Sequence, residues 1–78
     1  VKKLRMIEEA EAFLADQGFG QLRVRLHGTI ARIEVHKEEM GKIMGMHTAI
    51  VKKLKSIGFS YVTLDLEGYR SGSMDEVL

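Results

Sequence analysis

The stretch from Arg23 to His36 alternates apolar and charged residues on both sides of a Gly28-Thr29 pair, and this pattern leaves few folds open. Successive side chains of a strand point to opposite faces. Leu22, Val24 and Leu26 therefore share one face and Arg23, Arg25 and His27 the other. Ala31, Ile33 and Val35 share a face opposite Arg32, Glu34 and His36. Glycine first in a two-residue loop suits a type II′ turn, so the two runs are expected to form a hairpin. One face of it is oily and the other is crowded with Arg, His and Glu.

The flanking segments supply cover for the oily face. Residues 3–17 predict a helix, with Leu4, Ile7, Ala10, Phe13 and Leu14 at helical spacing and Gly18 as its stop. Residues 21–27 and 30–36 are the strands of the hairpin. A second helix is expected over 37–56, its apolar line being Met40, Ile43, Met44, Ile50, Val51, Leu54 and Ile57. Glu38 and Glu39 in its first turn, and Lys52, Lys53 and Lys55 in its last, suit the helix dipole. Gly58 closes it. Residues 59–66 predict a third strand, with Val62, Leu64 and Leu66 inward and Tyr61, Thr63 and Asp65 outward. The segment from Gly68 onward has turn composition. The expected fold is α+β in the order α-β-β-α-β, an antiparallel or mixed three-stranded sheet with two helices on one face. The other face is left to Arg23, Arg25, His27, Arg32, Glu34, His36, Tyr61, Thr63 and Asp65.

A chain of 78 residues makes one small domain with a thin core. It has no cysteine, which excludes disulfides, thiolate metal sites and thiol chemistry within it. No signal peptide or membrane-length apolar run is visible, and a cytoplasmic location is expected. The net charge of +1 gives none of the strong basic bias of a nucleic-acid binder. The start at Val-Lys-Lys, with no initiator Met, fits a piece of a longer protein and equally a processed complete one.

Arg23 and Arg25 lie two residues apart on one strand face, where their guanidinium forks can converge on a phosphate or carboxylate. Spacing alone leaves open a solvated face with cross-strand Arg–Glu pairs. His27 and His36, with Glu34 close by, invite a metal reading, but their spacing matches no specific metal motif, and no metal is assigned. His47 sits on the second helix, packed or solvated. Gly41 and Gly45 are expected to let that helix approach the sheet, and the methionines to fill core or interface gaps. Arg70, Ser71 and Ser73 can offer donors to an anion, although no P-loop pattern is present. No catalytic set has a telling spacing.

Three ordered segments alter this balance: IEEAEAFLADQGF (7–19), RVRLHGTIARIEV (23–35) and GFSYVTLDLEGYRSGSMDEVL (58–78). Together they resemble the C-terminal part of the LarE-type ATP-dependent sacrificial sulfur transferases of the PP-loop ATP pyrophosphatase superfamily. Such enzymes adenylate a pyridinium nucleotide carboxylate with ATP. They then donate sulfur from their own cysteine or by way of an iron–sulfur cluster, toward the nickel-pincer nucleotide cofactor of lactate racemase. The resemblance implies that Arg23 and Arg25 bind the phosphate of the nucleotide substrate. It further implies that Glu11 and Glu34 position substrate or a metal, and that Arg70, Ser71 and Ser73 belong to a terminal Gly-Tyr-Arg motif.

The departures are as informative. The SGGxDS loop of the family's N-terminal ATPase domain is absent, as is any cysteine, and Asp75 stands where the family often has Asn. The chain is thus expected to be a non-catalytic C-terminal domain that itself binds no cofactor. ATP and magnesium belong to the parent protein. Its expected partners are the ATPase domain, a pyridinium mononucleotide and further copies in a homo-oligomer, with no membrane. Two alternatives are a nucleic-acid-binding module, weakened because Tyr61 is the sole aromatic platform on that face, and a pure oligomerisation domain.

Overall fold

A computed structural model describes residues 1–70. Helix α1 spans Lys2–Asp16, strand β1 Leu22–His27 and strand β2 Ile30–Val35. A 3-10 turn (Lys37–Glu39) leads into helices α2 (Met40–Gly45) and α3 (His47–Ile57), and strand β3 spans Tyr61–Leu64. The sheet order is β1-β2-β3. β1 and β2 are antiparallel, while β2 and β3 are parallel, so the sheet is mixed. The parallel pair follows from the helical crossover, which returns the chain to the start of β2's direction.

The hairpin has the expected register. Pairing runs from Leu22↔Val35 to His27↔Ile30 across the Gly28-Thr29 turn. Gly28 has φ 63°, as the first central residue of a type II′ turn requires, and among the described residues positive φ is confined to glycine. Val24, Ala31, Ile33 and Val35 are buried on the inner face. They meet Met6, Ala10 and Leu14 of α1 and Ile50 and Leu54 of α3 in one core.

Several expectations need correction. Leu4 is 60% exposed, and Met6 takes the core place instead. At 100° per residue Leu4 lies about 120° around the helix from Ala10, whereas Met6 lies about 40° away. The second helix is not continuous. It breaks at Met46 (φ −112°, ψ 16°), directly after Gly45, whose weak helix propensity makes an interruption cheap there. Met44 is left 59% exposed. Gly41 and Gly45 do not mediate close approach, because a Cβ at either would meet nothing within 4 Å. Replacing Gly41 by Ala should therefore stabilise the chain by about 0.5 kcal/mol, read from the urea midpoint.

β3 stops early. Leu66, expected inward, is 79% exposed. Asp65 still donates its N–H to Ile33 O (2.8 Å), but its carboxylate accepts from Glu67 N (2.9 Å) and turns the chain out of the sheet. Gly68, at φ 87°, brings the chain back, its backbone close to Val35 O. Tyr69 N then donates to Val35 O (2.8 Å), so Tyr69 rejoins the end of β2.

Candidate functional site: an arginine–carboxylate face

The three helices lie on the inner face, and the register orders the outer one into rows. His27, Ile30 and Tyr61 form the row nearest the turn, followed by Arg25, Arg32 and Thr63. Arg23 and Glu34 come next, with Asp65 following Leu64 beside them. Arg25 and Arg32 are direct cross-strand partners, a like-charge pairing that destabilises a sheet unless a carboxylate intervenes.

Glu34 is that carboxylate. It was expected on an open, wet face, yet its exposure is 0%. Its Oε2 lies 3.5 Å from Arg25 Nε and 3.3 Å from Arg32 Nη2. The two arginine side chains are only 16% and 29% exposed. Long guanidinium stems cover the shorter acid between them, which is why strand parity alone misjudges its burial. Arg32 Nη1 also lies 3.7 Å from Asp65 Oδ2. Arg32 Nε is buried, with no hydrogen-bond partner among the described residues.

Arg23 is the more accessible arginine, its side chain 43% exposed. Its ion pair with Glu11 is long, 3.9 Å, and contributes a few tenths of a kcal/mol at most. Glu11 is held more firmly by Val24 N, which donates to its Oε2 at 2.9 Å. That N–H lies on the outer edge of β1, where no strand among the described residues pairs with it, so the helix carboxylate satisfies the sheet edge. Glu11 thereby brings a helix residue to the rim of the arginine face.

Arg70 follows the rejoined Tyr69 and pairs with Glu67 at 3.2 Å. Ser71 and Ser73, with Asp75, lie outside the described residues. The histidines do not come together. His27 pairs with Ile30 at the turn, while His36 follows Val35 at the opposite end. There His36 Nε2 hydrogen-bonds Gln21 Oε1 (2.9 Å) and its ring meets Tyr69 edge-on at 5.7 Å. Among the described residues no three His, Cys, Asp or Glu side chains gather as a metal-ligand set. His47 lies on the helix side, lining an apolar groove of about 250 Å³ with Met44, Val51, Val62 and Leu64.

The face thus joins three arginines and three carboxylates into a near-neutral cluster. Such an arrangement can hand its donors from an internal carboxylate to an anionic ligand. Sequence reasoning placed Arg32 and Asp65 on this face but assigned them no site role. The signal was available, because a turn at residues 28–29 sets 25 opposite 32.

The chain is 41% identical over 75 residues to the pyridinium-3,5-bisthiocarboxylic acid mononucleotide synthase of Lactiplantibacillus plantarum, a match covering 96% of this chain and 27% of that protein. It is 40% identical over 80 residues to an uncharacterised protein of Synechocystis, covering 100% of this chain and 30% of that protein. This chain is related to the LarE-type proteins of the PP-loop superfamily. A third relative, an uncharacterised protein of Methanocaldococcus jannaschii, is 39% identical over 71 residues, 91% of this chain and 28% of that one. No family model matches the chain. It spans less than a third of the length of each of these relatives. With no cysteine, it lacks the sulfur-donating residue that a LarE-type transferase uses from its own chain. Among the described residues no helix is long and apolar enough to cross a membrane.

Proposed function

We propose that this chain is the C-terminal substrate-binding domain of a cytoplasmic, homo-oligomeric ATP-dependent sulfur transferase that serves nickel-pincer nucleotide synthesis. Arg23 and Arg25 hold the phosphate of a pyridinium mononucleotide. The observation that carries this reading is the arginine–carboxylate face itself: two arginines on one strand face, one exposed and one steered by a buried acid. The name of the Lactiplantibacillus relative, a mononucleotide synthase, supports a ligand with one phosphate. Glu11 and Glu34 act as the internal counter-ions that orient the two guanidiniums. Arg70 stands at the end of β2 nearest Glu34 and adds a third cation to the approach. ATP and magnesium are handled by a separate PP-loop domain, the partner of this one.

A dianionic phosphate gains bidentate, charge-assisted bonds from such a pair. Arg23 needs the least rearrangement, since its own ion pair is long and solvated. Replacing Arg23 and Arg25 together by Ala should abolish the amide NMR shifts that nicotinate mononucleotide induces in the wild-type chain. Shifts that persist unchanged in the double variant would remove the assignment.

A second reading has its own observation. Ile30 (38% exposed) and Tyr61 (65% exposed) are register partners at the turn end of the same face, and they suit a contact between copies. Light scattering that reports a monomer at every concentration would count against it.

A further inference from the structure

The contacts of Arg32 form a bridge across the whole sheet. Arg25 on β1 reaches Glu34, Glu34 reaches Arg32 on the central strand, and Arg32 reaches Asp65 just past β3. Asp65 in turn accepts the backbone N–H of Glu67 and so pins the loop that delivers Tyr69 and Arg70 back to β2. We propose that Arg32 is a positioning residue of the anion site. It shares Glu34 Oε2 with Arg25 and ties that pair to the loop carrying Arg70. The proposal rests on the phosphate-binding reading for its functional meaning, but its geometry stands apart from any ligand.

The physical argument is one of geometry at a shared acceptor. Glu34 is fully buried, and its Oε2 faces both guanidiniums. Without Arg32 the carboxylate is no longer held between the two guanidiniums and drifts from Arg25 Nε, which leaves that N–H open to exchange. A planar guanidinium can face Glu34 with Nη2 while Nη1 faces Asp65, as it does here. An ammonium group has no such fork, so lysine keeps the charge and loses the bridge. This role also explains why its Nε stays buried with no hydrogen-bond partner among the described residues. The side chain is fixed by its two terminal nitrogens at the expense of the third.

The test uses Arg32→Gln and Arg32→Lys in the 78-residue chain, with Ile50→Val as a core control away from the face. The first readout is the exchange rate of the Arg25 Nε–H, observed directly by NMR with no ligand present. The second is the dissociation constant for inorganic phosphate. Both Arg32 variants are expected to speed Arg25 Nε–H exchange about tenfold and to weaken phosphate binding about tenfold. Ile50→Val should leave both unchanged while lowering the melting temperature. Unaltered Arg25 exchange in Arg32→Lys overturns the proposal, and that variant decides the matter if Arg32→Gln does not fold. A wild-type chain that ignores phosphate counts against the nucleotide reading alone, because the exchange measurement still decides the role of Arg32.

Discussion

Glu34→Ala is expected to destabilise the chain by about 3 kcal/mol, read from urea unfolding followed by circular dichroism. The variant leaves Arg25 and Arg32 as direct cross-strand neighbours with no carboxylate between them. Removing one partner of a buried ion pair is strongly unfavourable because the remaining charge is left desolvated. Water reaches the two arginine side chains in part, at 16% and 29% exposure, which holds the effect near the lower end of the usual range. A domain of this size has a total stability of about 4–12 kcal/mol, so the variant should sit close to its unfolding midpoint in mild denaturant. Glu34→Gln keeps the shape and an acceptor oxygen but loses the charge, and about half the effect should remain. Equal stability of wild type and Glu34→Ala would mean that the arginines need no internal counter-ion.

Leu54→Ala is expected to remove about 3 kcal/mol as well, by a different route. Leu54 is fully buried on α3, in the core cluster that joins α1, α3 and the sheet. Truncating it forfeits transfer energy and leaves a cavity that a thin core cannot easily close. The melting temperature should fall by about 12–24 °C. Leu4→Ala supplies the contrast. Leu4 is 60% exposed, so its truncation should change stability by less than about 0.5 kcal/mol. A large loss in Leu4→Ala would restore Leu4 to the helix's inner line and undo the packing described above.

The hairpin was legible because two independent signals agreed on it. Strict alternation fixed the faces, and a two-residue turn fixed the register, so Leu22 and Val35 paired as expected. The same register already separated His27 from His36, a consequence that spacing along the chain concealed. The burial of Glu34 was hidden for another reason. Parity tells which face a residue takes, whereas its solvation depends on how far neighbouring side chains extend over it. The helix break at Met46 and the early end of β3 depended on local competition. Gly45 weakened one helix, and Asp65 offered its carboxylate to the Glu67 N–H in place of a longer ladder. Arg23 and Arg25 were legible as a pair sharing a face. Their difference in exposure, one rim residue and one steered by a buried acid, came only with the side chains in place.

The most direct measurement is a titration of the chain with inorganic phosphate and with nicotinate mononucleotide, followed through backbone amide shifts. The expected result is a saturable set of shifts clustered at Arg23, Arg25 and Glu34, larger for the mononucleotide than for phosphate. Shifts confined to the helix side, or none at millimolar ligand, would contradict an anion site on the outer face of the sheet.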